Sequence, residues 1–149
     1  MAVKPIPEGY HTITPCVAVQ GADKLIDFLQ QVFAATEIER MTNEDGTIKH
    51  AEVRIGDSVV MMSEPRGEWK PMPGAFYVYV SDADTIYKRA LQAGAVSLME
   101  PVDTFYGNRE SGVKDRFGNS WWIATHKEDV SPEEMQKRFE AGKKQQSRS

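Results

Sequence analysis

Residues 17–41, VAVQGADKLIDFLQQVFAATEIERM, lie over residues 78–102, VYVSDADTIYKRALQAGAVSLMEPV, at a constant offset of 61 (78 against 17). Val19 falls on Val80, Ala22-Asp23 on Ala83-Asp84, Ile26 on Tyr87 and Glu39 on Glu100. Further along, Gly56-Asp-Ser-Val-Val-Met-Met matches Gly118-Asn-Ser-Trp-Trp-Ile-Ala, one residue out of step. Self-similarity at a fixed period marks one supersecondary unit used twice. Each copy opens with a short strand, Thr14–Val19 and Ala75–Val80, rich in β-branched or aromatic residues. A helix follows. Ala22, Leu25, Ile26, Leu29, Val32 and Phe33 recur at helical spacing in the first copy, and Ala83, Ile86, Tyr87, Ala90 and Leu91 in the second. Ser81 with Asp84 resembles a capping box, and Gly94 sits where a left-handed C-terminal residue belongs.

Three strands complete each unit. They run near Glu37–Met41, Ile48–Ile55 and Ser58–Met62, with Asn43 to Gly46 as a hairpin turn. The second set lies near Ser97–Pro101, Gly112–Asp115 and Ser120–Ala124, with a turn at Arg116 to Gly118. The pattern predicts an α+β fold of two tandem βαβββ modules within one domain spanning residues 1–149. Module one covers about 12–64 and module two about 75–126. Pro65–Gly74 has the composition of a linker. A C-terminal helix over about 131–141 begins with Ser131 as N-cap, Pro132, and Glu133-Glu134 in the first turn. Met135 and Phe139 could dock it, and the chain beyond Gly142 is expected to fray.

The balance of 27% charged and 40% hydrophobic residues suits a soluble globular chain. A net charge of −4 disfavours nucleic acid, which needs a basic face. A single cysteine, Cys16, excludes an intrachain disulfide and a cysteine-based zinc cluster. There is no signal pattern at the start and no membrane-length apolar run, so no membrane association and a cytoplasmic location are expected.

Strand parity divides the side chains further, because successive residues point to opposite faces. Phe76, Val78 and Val80 oppose Ala75, Tyr77 and Tyr79, while Trp121 and Ile123 oppose Ser120, Trp122 and Ala124. Val59 and Met61 oppose Ser58, Val60 and Met62. On Ile48–Ile55, a helix-facing set of Ala51, Val53 and Ile55 sends His50, Glu52 and Arg54 to the other face. Those three titratable groups either line a cup or form an ordinary half-exposed strand.

The order of "VAVQGADKLIDFL", "AEVRIGDSVVMM" and "KDRFGNSWWIATH" resembles the vicinal oxygen chelate superfamily, which includes glyoxalase I, bleomycin-resistance proteins and extradiol dioxygenases. HAEVRIGDSVVMMSE, followed by FYGNR and DRFGNSWWIATHKEDVSPEEM, is closest to its PhnB-like branch. The resemblance covers about Thr12 to Met135. It implies a U-shaped, eight-stranded mixed sheet around a cup, and a homodimer. In the metal-using members it implies ligands at the start of each module's first strand and on its last strand. Here those places fall on Thr14, Ala75, Val60 (or Met61) and Trp122, none of them a credible ligand for a divalent ion.

The sequence therefore predicts a protein with no metal and no cofactor that binds a small aromatic or cationic molecule. The alternative is a glyoxalase-like lyase, isomerase or dioxygenase with a non-standard metal site. Ligand-lining candidates are His50, Glu52, Arg54, Met62, Tyr77, Tyr79, Tyr106, Arg109 and Trp122. His50 and Glu52 are also the candidates for acid–base work, since a carboxylate two residues away on the same face can orient an imidazole. Tyr77, Tyr79, Trp122 and Met62 would make a flat, polarisable wall that stacks planar ligands or holds cations. Thr104–Glu110 is expected to be a loop at the cup mouth, with Arg109 contacting ligand or pairing with Asp103 or Glu110.

Overall fold

Both repeat units build a helix whose N-terminus is capped by a residue at or just beyond the end of the last strand of the same unit. The computed structural model describes residues 2–147. Its elements are β1 (Cys16–Ala18), α1 (Ala22–Phe33), β2 (Thr36–Thr42), β3 (Ile48–Ile55), β4 (Ser58–Ser63), β5 (Ala75–Tyr79), α2 (Ala83–Gln92), β6 (Val96–Asp103), β7 (Asn108–Lys114), β8 (Ser120–His126) and α3 (Pro132–Ser147). At α1, the Glu64 carboxylate accepts from the Gly21 and Ala22 N–H groups at 2.9 Å. At α2, Thr125 Oγ1 accepts from the Ala83 N–H at 2.8 Å. Glu64 and Thr125 are themselves 61 residues apart, so the repeat extends to the caps. Each satisfies donors that the helix cannot satisfy internally. The expected Ser81 cap is instead Asp82, whose carboxylate accepts from the Thr85 N–H at 3.2 Å. Gly94, at φ +101, takes the left-handed turn beyond α2.

The eight strands form two four-stranded mixed sheets, ordered β1-β4-β3-β2 and β5-β8-β7-β6. The single eight-stranded sheet implied by the family resemblance is divided between β1 and β5. β1 has only three residues, and the linker takes up the outer edge of Ala18 through Met72, with N–H···O bonds of 3.0 and 2.7 Å. Helix-side residues from both halves join one core. Leu25, Ile26, Leu29 and Val32 of α1, Ala83, Tyr87 and Ala90 of α2, Val53, Met62, Val113, Trp121 and Ile123 are all buried in it.

Asp115 anchors the last turn of the second half. Its buried carboxylate accepts from the Phe117 and Asn119 N–H groups, Asn119 Nδ2 and Trp121 Nε1, all at 2.8–2.9 Å. The C-terminal helix runs to Ser147, past the expected end at 141, because Lys and Gln propagate a helix well. Arg148 and Ser149, within the stretch expected to fray, lie outside the described residues. Arg138 ties α3 down through Glu128 (2.6 Å) and the Phe105 carbonyl (3.1 Å).

Candidate functional site

In the second sheet, register sets the open face row by row. Tyr77 pairs with Trp122, Trp122 with Gly112 and Gly112 with Met99. Tyr79 pairs with Ala124, and Ala124 with Glu110. Tyr77, Tyr79 and Trp122 therefore share one face, opposite Phe76, Trp121 and Ile123 on the helix side. The Trp122 ring needs the glycine beside it: a Cβ on Gly112 would stand 2.3 Å from Trp122 Cζ3. The Tyr77 and Tyr79 rings meet edge to face at 5.2 Å and remain 43% and 65% exposed. Large aromatic rings held this open lose little by accepting a ligand in place of water.

A hydrogen-bonded chain underlies these rings. Glu110, 7% exposed, accepts from Tyr77 Oη at 2.5 Å and Tyr106 Oη at 2.6 Å. Asn108 Nδ2 donates to Tyr77 Oη at 2.8 Å, and Asn108 Oδ1 lies 2.9 Å from His126 Nδ1. His126 Nε2 in turn meets Asp129 at 2.8 Å. Burial, reinforced by the Glu110 carboxylate, pushes the Tyr106 phenol up to about 12 and holds Tyr77 well above the usual tyrosine range. Both hydroxyls stay protonated as donors at neutral pH. Among the described residues no Lys or Arg pairs with Glu110; its partners are the two phenol O–H donors.

Beside β5 a cavity of about 680 Å³ opens between the two halves. Thr14, Pro15, Val59 and Val60 line it from the first half, and Phe76 to Val80 with Ile86 and Arg89 from the second; Phe33 and Trp121 also contribute. The bonds Ser120 N–H to Gly74 O (2.9 Å) and Val80 N–H to Ala124 O (2.8 Å) fix the phase of the parallel ladder. The backbone N–H and C=O of Tyr77 and Tyr79 consequently point away from β8, towards the side with no ladder. Volume, apolar lining and a few convergent polar groups match a small-molecule pocket.

His50, Glu52 and Arg54 share the open face of the first sheet, apart from the tyrosines. His50 Nε2 lies 2.8 Å from Glu52 Oε2, Tyr10 Oη donates to Glu52 Oε1, and Arg54 Nη1 donates to the Gly9 carbonyl at 3.1 Å. Burial alone would raise the Glu52 carboxyl, but the bonds from Tyr10 and His50 hold it below the usual carboxylate range. The segment around Gly9 and Tyr10 thus covers part of this face.

Two site candidates lie elsewhere than expected. Met62 points into the core, because it pairs with helix-facing Ala51 and Val17; Met61 takes the open face, its Sδ 3.7 Å from Cys16 Sγ. Arg109 keeps the expected pairing with Asp103, at 3.5 Å, but is turned to the helix side, where its guanidinium grips Asp84 of α2 at 3.0 and 3.1 Å. Asn108 to Glu110, expected in a loop, form the start of β7. Sequence reasoning missed Glu110, Asn108 and Tyr10 as site residues. The alternation of Tyr106, Asn108 and Glu110 was a usable signal for the first two.

At the four places where metal-using relatives carry ligands, the open-face residues are Thr14, Met61, Ala75 and Trp122. A hydroxyl, a thioether, a methyl and an indole do not fit a catalytic divalent ion.

A model of the Glyoxalase/Bleomycin resistance protein/Dioxygenase superfamily matches residues 10–123. An uncharacterized protein of Mycobacterium bovis is 30% identical over 135 residues, covering 83% of this chain and 89% of the relative. Among solved structures, TioX from Micromonospora sp. ML1 superposes with a TM-score of 0.67 at 26% identity, covering 78% of this chain and 98% of TioX. TnmS3, an antibiotic binding protein from Streptomyces sp. CB03234, shares the fold at 18% identity and a TM-score of 0.62, covering 85% and 98% respectively.

Proposed function

The chain belongs to the Glyoxalase/Bleomycin resistance protein/Dioxygenase superfamily, and on that premise we propose that it is a binding protein holding a small aromatic or cationic molecule without a metal. The observation that carries this reading is the pair Tyr77 and Tyr79, held open over the buried carboxylate of Glu110 and bordering the 680 Å³ cavity. Aromatic faces attract cations and stack planar rings, and an uncompensated carboxylate beneath them favours positive charge. The fold shared with an antibiotic binding protein supports the same reading.

The proposal includes a homodimer, since Val102, Met72 and Trp69 leave apolar surface that a second copy would cover. It also includes a cytoplasmic setting, in keeping with the exposed free thiol of Cys16. Among the described residues no helix is long and apolar enough to cross a membrane.

The test is a screen of planar aromatic cations, anions and neutral compounds for a rise in melting temperature. Binders are then repeated on a Tyr79→Ala/Trp122→Ala variant. Cationic or neutral aromatics should stabilise the wild type and lose that effect in the variant. Binders that stabilise both proteins equally would sink the assignment. A lyase, isomerase or dioxygenase reading would instead require an ion held by side chains outside the family's ligand places.

A further inference from the structure

The open face of the first sheet carries donors that a small-molecule site in the second half does not use. Glu39 of β2 and Glu52 of β3 stand directly opposite in the ladder, so their carboxylates leave from the same face. Like charges directly opposite destabilise a sheet, and here the two carboxyls stand within hydrogen-bonding reach of each other. His50, two residues before Glu52, brings an imidazole to the same spot, with Nε2 2.8 Å from Glu52 Oε2. One ligand atom from each of Glu39, His50 and Glu52 lies within 4.8 Å of the other two.

Neither nearby arginine bonds to the cluster. Arg40 pairs with Glu37 at 2.6 Å, and Arg54 donates to the Gly9 carbonyl. Among the described residues no Lys or Arg forms an ion pair with Glu39 or Glu52. Glu52 is 6% exposed, and Tyr10 donates to its other oxygen from outside the cluster. A carboxylate oriented by an outer hydrogen bond is the usual support of a metal ligand. The fold does not demand the cluster. Register equates Glu39–Glu52 with Met99–Gly112 in the second half, an offset of 60 (99 against 39, 112 against 52), and there the row is a thioether and a glycine.

We propose that Glu39, His50 and Glu52 form a divalent-cation site, distinct from the strand-start and last-strand places of the family's metal ligands. One imidazole nitrogen and two carboxylate oxygens suit zinc or manganese, with the remaining coordination positions left to water. The site lies on the other sheet from Tyr77, Tyr79 and Trp122, and it stands whether or not those rings bind a small molecule.

The test starts from full-length protein stripped with a chelator and dialysed, titrated separately with Zn²⁺ and Mn²⁺ by calorimetry. Cobalt(II) absorption provides a second readout of nitrogen–oxygen coordination. One ion per chain is expected, with affinity falling at least about tenfold in Glu39→Gln and in His50→Ala. His11→Ala, a histidine outside the cluster, should bind as the wild type does. Glu39 is exposed and His50 half-buried, so both variants should fold, which circular dichroism of the metal-free proteins verifies. No saturable heat with either ion, or equal binding by Glu39→Gln and His50→Ala, would overturn the site.

Discussion

Trp121 and Trp122 are neighbours in sequence with opposite roles in the account, so truncating each in turn separates core from site. Trp121 is 1% exposed, stacks on Phe76 at 4.4 Å, meets Phe33 at 5.3 Å and donates to Asp115 at 2.8 Å. Burying roughly 200 Å² at about 25 cal/mol per Å² contributes about 5 kcal/mol. Trp121→Ala also strips the Asp115 carboxylate of a donor, worth about 1.5–3 kcal/mol. Partial collapse of the cavity offsets some of this, so the expected loss is about 4–5 kcal/mol. Trp122 lies half-buried on the open face with its ring against Gly112. Trp122→Ala forfeits part of that contact area and leaves no buried group unpaired, so about 1–2 kcal/mol is expected. Urea unfolding followed by circular dichroism measures both, provided the m-value is unchanged. A Trp122→Ala loss as large as that of Trp121→Ala would refute the division of faces and make Trp122 core.

Alkaline pH probes the network under the rings. The Tyr106 phenol is raised to about 12 from 10.0, so its stabilisation is complete below pH 10 and is lost as pH climbs towards 12. Tyr77 shifts in the same direction; a Tyr77→Phe/Tyr106→Phe protein should therefore show a shallower loss of urea midpoint above pH 10 than the wild type. Removing the cap of α1 by Glu64→Ala should cost about 1–2 kcal/mol, while Glu64→Gln, which keeps an acceptor oxygen, should cost less than half of that; thermal unfolding decides. Arg109→Ala should lower stability only slightly, through loss of its part-exposed pair with Asp84, as thermal unfolding would show. It should leave ligand affinity unchanged, because the side chain faces away from the aromatic rings.

The repeat made the order of elements legible, since caps, stripes and turns recur at one spacing. Parity was legible on β5 because tyrosines alternate there with plain hydrophobes, and on β3 because charges alternate with Ala51, Val53 and Ile55; on β8, where Trp121 and Trp122 are adjacent, the register fixed by pairing with β5 decides it. Parity failed on β4, where Val59 to Met62 are all apolar and only pairing with Ala51 sends Met62 inward. Arg109, expected in a loop, keeps one of its expected partners in Asp103, but its closer partner Asp84 is 25 residues away on α2, beyond the reach of local sequence pattern. The alignment set Glu39 on Glu100, while the ladders set it against Met99, because each outer pair of strands carries a bulge. Glu110 entered only as a possible partner of Arg109, because Asn108-Arg109-Glu110 lacks the apolar alternation that announces a strand, although it opens β7. The division of the sheet followed from a three-residue β1 and a linker edge, features that only packing reveals.

The most direct test of the central claim is calorimetric titration of chelator-treated protein with a planar aromatic cation such as ethidium, alongside the Tyr79→Ala/Trp122→Ala variant. One saturable site per chain is expected in the wild type without added metal, with affinity at least about tenfold weaker in the variant. Equal affinity in both proteins, or binding that appears only when a divalent ion is restored, would contradict that claim.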